Sequence, residues 1–265
     1  GLLRRLASRN DENKSMNTSE FDYFLPKELI AQKSVSPRDT SKLMVVDRTA
    51  QALSSAQFFD IGKWLRPGDL LVRNVSRVFR ARLFAWPAEK MFGKEKEIEV
   101  FLLAPLTDIP GDDRAFPRSR WHALIRPLKK LHLGQELAFG SVDTECFVGD
   151  VTATIIHIRD DGSVEMQFDA SIASVFAIAD DIGHIPVPPY VDEEPKSLAM
   201  YQTVYASETG SVAAPTAGFH FTQKLIDELE HNDIHFADVV LHVGIGTFRP
   251  MKSETLEEHI MHEEY

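Results

Sequence analysis

Four histidines near the end of the chain have the spacing and surroundings for acid–base chemistry. They are His220, His242, His259 and His262, and the first two lie in segments that contain glycine and threonine. Histidine exchanges protons readily near neutral pH. His259 and His262 are three residues apart and would share one face of a helix, with Glu263 beside them. These residues predict general acid–base catalysis or substrate hydrogen bonding, with Glu263 as an orienting carboxylate or an alternative base.

A metal site formed by the same histidines is the alternative. The sequence lacks the His-Glu-x-x-His spacing of zinc enzymes, and its single cysteine cannot supply a set of thiolate ligands. We therefore expect no metal. His242 follows an apolar run. The alternative to a functional role is that it is a hydrogen-bonded histidine of the core.

Two glycine-containing loops accompany the histidines. Residues 210–221 are small and lead towards a predicted helix at Thr222, whose N-terminal N–H groups could receive a carboxylate or phosphate. Residues 241–250 place Gly-x-Gly-Thr directly after an apolar strand, where α/β folds bind ligands. The dinucleotide fingerprint is absent, because a third glycine is missing and Pro250 follows at once. Either loop could instead be a tight structural turn.

Short apolar runs separated by turns predict β-structure through the middle of the chain. These runs are 70–84, 97–103, 121–125, 136–139, 149–158 and 163–168. Closely spaced strands without a helical pattern between them predict an antiparallel barrel or a small sandwich. Residues 160–162, Asp-Asp-Gly, predict a hairpin turn.

The segments on either side of these strands predict an α/β domain. A buried strand is predicted at 42–47, and a strand buried on both faces is predicted at 236–243. Helices are predicted at 58–65, after residue 170, at 224–229 with Thr222 as N-cap, and over the amphipathic segment 21–30. Thr255 and Glu258 have capping-box spacing, which predicts a last helix that reaches Tyr265 without a C-cap. A helix that stops without a C-cap predicts that the sequence is a fragment of a longer protein. Residues 1–15 are expected to be a disordered leader or a non-native extension.

Composition and charge narrow the class of protein. The 265 residues are 43% hydrophobic and carry a net charge of −11, which argues against nonspecific coating of nucleic acid. A local basic surface remains compatible with this charge, and arginines are concentrated in 73–82 and 118–126. The single cysteine predicts a reducing, cytoplasmic location. The longest apolar run, 100–105, is too short to span a bilayer.

Nine phrases, in order along residues 21–265, together resemble the family of S-adenosylmethionine:tRNA ribosyltransferase-isomerases of queuosine synthesis. The phrases are 21–26, 30–32, 37–39, 66–71, 185–190, 201–206, 210–221, 241–250 and 259–265. The resemblance implies a β-barrel attached to an α/β/α sandwich. We therefore expect an α/β/α sandwich domain formed by 16–65 and 170–265, with an antiparallel, Greek-key-like β-barrel of 66–169 inserted in it. Family members typically continue past residue 265, so the sandwich is expected to be incomplete at the C-terminus.

The resemblance also implies the reaction and its participants. The family transfers and isomerises the ribosyl moiety of S-adenosylmethionine onto 7-aminomethyl-7-deazaguanine at the tRNA wobble position, giving epoxyqueuosine, adenine and methionine. Residues expected to line the S-adenosylmethionine pocket are Thr216, Gly218, Gly244, Gly246, Thr247 and Arg249; those expected to contact tRNA are Arg77, Arg82, Tyr201 and Gln202. We expect a cytoplasmic monomer that needs no metal and no membrane.

Two departures from the family pattern keep other functions open. The chain has Val75 where the family usually has aspartate, and Asp192 where arginine is common. A divergent paralogue that uses S-adenosylmethionine on another acceptor is one alternative. The other is a non-catalytic fragment that binds RNA through the arginines of the barrel.

Overall fold

The computed structural model describes residues 15–90, 97–109, 117–143, 146–188, 190–191, 193–248 and 251–264. In this part of the chain the strands are, in order, β1 (Lys42–Asp47), β2 (Ala52–Gln57), β3 (Leu70–Asn74), β4 (Ser76–Val78), β5 (Arg82–Pro87), β6 (Ile98–Ile109), β7 (Arg118–Arg126), β8 (Glu136–Asp143), β9 (Cys146–Ile158), β10 (Val164–Phe168), β11 (Glu208–Ser211) and β12 (His235–Val239). The α-helices are α1 (Ile172–Ile182) and α2 (Gln223–His231). The candidate Arg249 and the departure at Asp192 lie outside the described ranges.

Strands β5 to β10 close into an antiparallel barrel with the order β10-β7-β6-β5-β8-β9. The sub-order β8-β5-β6-β7 is a Greek key, because the fourth strand returns to lie beside the first. Alternate residues point inwards, and the barrel is filled by large aromatic side chains that are fully buried, including Trp121, Phe139 and Phe168. The predicted hairpin joins β9 to β10, with Gly162 at a φ of +82°.

Helix α1 closes the barrel on one side. Ser171 caps it by accepting a hydrogen bond from the Ser174 N–H. Phe176 on this helix packs edge-on against Phe79 and Trp121, with ring centroids 4.9 and 5.1 Å apart. The helix predicted after residue 170 is therefore confirmed, and it joins the core of the barrel.

Two pairs of parallel strands form the α/β part of the molecule. Strand β4 pairs with β11, and β3 pairs with β12. The predicted combination of an antiparallel, Greek-key-like barrel with α/β elements is confirmed. The boundary predicted at residue 66 places β3 and β4 with the barrel, whereas both strands pair with strands that follow residue 170.

Helix α2 covers one face of the β3–β12 pair. Thr222 caps it as predicted, its hydroxyl accepting a hydrogen bond from the Leu225 N–H at 3.1 Å. Leu225 and Leu229 pack with Phe58 in a small core. The opposite face is bare: Leu70 is 58% exposed and Val72 is 64% exposed. Strand β12 itself has no buried residue, so the prediction of a strand buried on both faces is wrong. The predicted buried strand at 42–47 is also wrong, because β1 has no buried residue and Met44 is 71% exposed.

Three predicted elements differ from the structure. The strand predicted at 236–243 ends at Val239, because the following backbone bonds to the Asn74 side chain and to the segment after β11. Segment 21–30 forms only a 3-10 turn at Lys27–Leu29; Phe24 is exposed, and a short helix without a packed face is marginal.

The last helix is not formed either. Leu256 N–H donates to the Met16 carbonyl, and Thr18 N–H donates to the Glu254 carbonyl. Glu257 accepts from the Met16 N–H, so the N-terminal segment takes up hydrogen bonds that a helix would need. His259 and His262 therefore do not share a helix face, and the uncapped helix offers no support for the predicted fragment.

Candidate active site

The loop that follows β12 is fixed at the residue before His242. The Asn74 side chain reaches this loop from the end of β3. Its Oδ1 accepts from the Leu241 N–H at 3.1 Å, and its Nδ2 donates to the Leu241 carbonyl at 2.7 Å. One amide thus satisfies both backbone groups of Leu241, in the manner of a neighbouring strand.

The residue after His242 is fixed as firmly. Val243 N–H donates to Ser211 Oγ at 2.8 Å, and Ser211 Oγ donates to Ser76 Oγ at 2.8 Å. The Val243 carbonyl accepts from the N–H groups of Val212 and Ala213. We refer to Asn74, Ser76 and Ser211 as the loop clamp, because they hold both neighbours of His242.

The His242 ring lies directly against Gly210. A Cβ built at Gly210 would be 2.5 Å from Cε1 of the ring, so only glycine lets the imidazole approach this backbone. Burial lowers the pKa of His242 below its usual value, and the nearby Glu208 opposes this to a lesser degree. At neutral pH the ring is therefore uncharged and able to accept a proton.

Glu264 organises the second half of the loop. Its Oε1 accepts from the Gly244 N–H at 3.3 Å, from the Thr247 hydroxyl at 3.2 Å and from His262 Nε2 at 3.0 Å. With the carboxylate as the acceptor, His262 Nε2 is the donor of the last of these bonds. The His262 ring also contacts Gly246 at a place where any Cβ would overlap it.

A cleft of about 510 Å³ lies between this loop and the barrel. Gly244 and Gly246 form one wall with His262 and Glu264, and the barrel contributes His122 and Arg159 to the other. Arg159 is held by Glu165 at 2.6 Å. His242 is two residues before Gly244 but does not line this cleft, and its ring lies against Gly210. The arrangement combines a neutral imidazole, a carboxylate–imidazole pair and glycine backbone that a ligand can approach.

His220 occupies a different place. It ends the 3-10 helix Thr216–His220, and its ring packs on Phe58 with centroids 5.1 Å apart. In the same helix Thr216 is exposed, and Gly218 is buried against the Tyr205 hydroxyl. His220 does not line the cleft that contains His262.

The predicted tRNA contacts are placed as follows. Gln202 is buried; its amide donates to the Val78 carbonyl at 2.6 Å and accepts from the Val78 N–H at 3.1 Å. Tyr201 is also buried, and burial raises its pKa to about 12, so its phenol stays protonated. Arg77 is exposed on β4. Arg82 is exposed and bonds to Glu99 at 3.0 Å.

The remaining candidates lie at the edge of the site. His259 N–H donates to the Leu256 carbonyl in a turn. Glu263 lines the cleft, but its side chain is exposed and Glu264 makes the bonds to the loop. Among the residues that the structure describes, no group of three or more His, Cys, Asp and Glu side chains is placed to hold a metal. Nor does that part of the chain contain a helix long and apolar enough to cross a membrane.

Sequence reasoning missed Glu264 and the loop clamp. Glu264 and Glu263 are neighbours whose side chains point in different directions. Because the predicted last helix is not formed, helical spacing could not indicate which of the two faces the loop. Ser76 and Ser211 are separated by 135 residues, so their contact has no local signal. Val75, which stands where the family usually has aspartate, is next to Ser76 and only 6% exposed. This departure from the family pattern therefore places an apolar side chain in the interior.

Comparison with known proteins gives a consistent result. The family model described as "Queuosine biosynthesis protein" matches residues 18–265. The proteins named S-adenosylmethionine:tRNA ribosyltransferase-isomerase from Moorella thermoacetica and Thermotoga maritima are 42% and 44% identical over 250 residues. Each alignment covers 94% of this chain and 67% of the relative, so the chain spans about two thirds of their length.

A protein of the same name from Finegoldia magna is 39% identical over 251 residues, 94% of this chain and 66% of that protein. Among solved structures, a crystal structure of an S-adenosylmethionine tRNA ribosyltransferase from Thermotoga maritima is 32% identical. The match covers 85% of this chain and 59% of that one, with a TM-score of 0.32.

Proposed function

Because the chain belongs to the queuosine biosynthesis protein family, whose curated relatives are S-adenosylmethionine:tRNA ribosyltransferase-isomerases, we propose that it takes part in the same reaction. The ribosyl moiety of S-adenosylmethionine is transferred to 7-aminomethyl-7-deazaguanine at the tRNA wobble position and isomerised. The products are epoxyqueuosine in tRNA, adenine and methionine. The single observation that carries this proposal is the family match, which runs from residue 18 to residue 265.

His242 is the proposed base. The reaction requires removal of a proton from the carbon beside the positively charged sulfur. A base for this step must be unprotonated at neutral pH and held in one orientation. The lowered pKa of His242, its contact with Gly210 and the loop clamp meet these requirements.

The pair of His262 and Glu264 is proposed to deliver a proton to the departing adenine. Glu264 holds the ring through Nε2 and stabilises its doubly protonated form, which gives its Nδ1 proton to adenine and is left as the neutral imidazole with Nε2–H on Glu264. Gly244 and Gly246 admit the substrate close to the backbone, and Thr247 forms part of the pocket. Arg249 is proposed to hold the methionine carboxylate.

For the other predicted residues we propose roles away from the reacting atoms. Thr216, Gly218 and His220 belong to a 3-10 helix outside the cleft that contains His262, and we propose that they act in substrate binding. His259 and Glu263 are near His262 in the sequence. Residues proposed to contact tRNA are Arg77, Arg82, Tyr201 and Gln202. Because Gln202 and Tyr201 are buried, their contribution would be to shape the surface rather than to touch the base. We propose a cytoplasmic monomer that uses no metal.

The test is release of adenine and methionine. The protein is incubated with S-adenosylmethionine and a tRNA that carries 7-aminomethyl-7-deazaguanine, and products are quantified by mass spectrometry. His242→Ala should abolish or strongly reduce release. His220→Ala, whose ring packs on Phe58 away from the cleft, should reduce it less, and His231→Ala, on the exposed side of α2, should not reduce it. A non-catalytic RNA-binding protein would bind the tRNA equally well in all three variants and release no adenine. That result would refute the proposal.

A divergent paralogue is the second candidate, supported by the buried Val75 in place of the family's aspartate. It predicts adenine release with an acceptor other than the deazaguanine base. Robust release that depends on the modified tRNA excludes it.

A further inference from the structure

A second cleft, of about 660 Å³, lies away from the loop clamp. It is formed around the 3-10 helix Arg38–Thr40, at the start of β1 and at the end of the Thr216–His220 helix. Four of its lining side chains are cations or can become cationic: Lys33, Arg38, Lys42 and His220. Its lining contains no Asp or Glu, although the whole chain has 40 carboxylates against 29 Lys and Arg.

Arg38 is oriented without being neutralised. Its Nη1 donates to the Gln202 carbonyl at 2.8 Å and its Nη2 to the Ala199 carbonyl at 3.5 Å. Carbonyl oxygens fix the plane of a guanidinium but leave its full positive charge in place. The charge is thus anchored in the wall of the cleft.

The neighbouring carboxylate is directed elsewhere. Asp39 Oδ2 accepts from the Thr222 hydroxyl at 2.9 Å, and Thr222 is the N-cap of α2. The acid adjacent to Arg38 in the sequence therefore serves the helix rather than the arginine. Within the described part of the chain, no salt bridge involves Arg38, Lys33 or Lys42.

The cleft also has an apolar wall. Met200 and Phe219 line it, and Phe219 is braced by Tyr201 with ring centroids 5.4 Å apart. Cations beside an aromatic surface are the combination that nucleic-acid-binding proteins present to a phosphate and its adjoining base. A carboxylate-free cleft also gives a protein of net charge −11 a local surface where a polyanion is attracted.

We propose that this cleft binds the phosphodiester backbone of the tRNA, with Lys33 and Lys42 contacting phosphates and Arg38 supplying the fixed charge behind them. An adjoining base lies against Phe219 and Met200. The identity of the polyanion as tRNA rests on the proposed function; the anionic character of the ligand rests on the cleft itself.

The strongest competing surface is on the barrel. Lys129 and Lys130 are exposed in the 3-10 turn that follows β7, and arginines precede them along that strand. If tRNA bound there, the charges around Arg38 would be irrelevant to its affinity. The two surfaces offer matched pairs of lysines, so they can be compared directly.

The experiment measures tRNA affinity by fluorescence anisotropy over a range of salt concentrations, using the double variants Lys33→Gln/Lys42→Gln and Lys129→Gln/Lys130→Gln. Loss of two phosphate contacts should weaken binding roughly 10-fold and reduce the slope of log K against log salt by about 1.5 to 2. The barrel variant should retain wild-type affinity and slope. Thermal unfolding checks that both variants remain folded.

Several outcomes overturn the proposal. They are unchanged affinity of Lys33→Gln/Lys42→Gln, a larger loss in the barrel variant, or absence of tRNA binding by the unmodified protein. The assay is independent of turnover. Tight, cleft-dependent tRNA binding without adenine release would contradict the proposed function and leave the cleft assignment standing. Adenine release by Lys33→Gln/Lys42→Gln with an unchanged KM for tRNA would support the proposed function and contradict the cleft assignment.

Discussion

The hydroxyl of Ser211 donates a 2.8 Å hydrogen bond to the hydroxyl of Ser76, and both side chains are fully buried. Ser211 also accepts from the Val243 N–H, so a chain of two bonds runs from β4 to the residue after His242. The position and orientation of the proposed base therefore depend on two small hydroxyl side chains that do not contact the cleft themselves.

Replacing Ser211 with alanine should loosen the His242 loop. The substitution removes both bonds and leaves the Val243 N–H without its acceptor, so the free energy of unfolding should fall by about 1–3 kcal/mol. Adenine release should fall as well. Urea denaturation and product assays measure the two effects. Thr209→Ala, an exposed change on the same strand, is the control; an equal effect there would contradict the role of the clamp.

The pH dependence of stability should reveal His242. Its pKa is lowered in the folded protein, so the unfolded chain binds the proton more readily. Stability is therefore fully present above the ordinary histidine pKa of about 6.5 and is lost as the pH falls below it. Urea denaturation of the protein and of His242→Gln at pH 7.5 and 5.5 measures this. The variant should lose less stability on acidification, whereas His231→Gln should match the unmodified protein; identical losses in all three would count against a buried, neutral His242.

Gly246 and Gly244 should differ sharply when each is changed to alanine. A Cβ at Gly246 would overlap the His262 ring, whereas a Cβ at Gly244 has no atom within 4 Å. Gly246→Ala should therefore displace His262 from Glu264 and lower kcat for adenine release. Gly244→Ala leaves His262 in place, so it should keep most of kcat and show any loss in KM for S-adenosylmethionine. Similar activities in the two variants would show that the ring position does not matter for turnover.

Glu264 and Glu263 provide a second matched pair. The Glu264 carboxylate accepts three hydrogen bonds, one of them from the His262 ring. Glu264→Gln replaces it with a neutral amide, which binds that ring more weakly. We expect kcat to fall about 10-fold or more, as for loss of a positioned acid–base group. Glu263→Gln, whose carboxylate is exposed, should change kcat little. A reversed order of the two effects would return the orienting role to Glu263.

The barrel could be predicted because its signals are local. Alternation of buried and exposed residues, turn residues such as Gly162 and the spacing of the strands all act within a few residues. The cap of α2 by Thr222 is equally local and was predicted correctly. The pairing partners of β3 and β4 were not predicted, since both strands pair with segments more than 120 residues away and nothing near them specifies the partner.

The candidate site was predicted only in outline. Glycines and histidines in residues 241–247 indicated a ligand-binding loop, and the structure places a cleft there. The helix expected near Thr255 failed because its backbone hydrogen bonds are made with residues 16–18 instead. That failure also explains why Glu264, rather than Glu263, faces the loop. Long-range competition of this kind cannot be read from capping-box spacing alone.

The distance along the chain between Asn74 of the loop clamp and the loop that it holds has a consequence for synthesis. Asn74 and Leu241 are 167 residues apart, so a ribosome adding about 5–20 residues per second separates them by roughly 10–30 s. During that interval β3 and β4 have been made but their parallel partners have not, and the whole barrel is translated between them. Nascent chains at this stage leave the backbone edges of β3 and β4 unpaired and Leu71 uncovered, because the α2 residues that pack with it have not been made. Such edges can pair with other chains until β11 and β12 arrive.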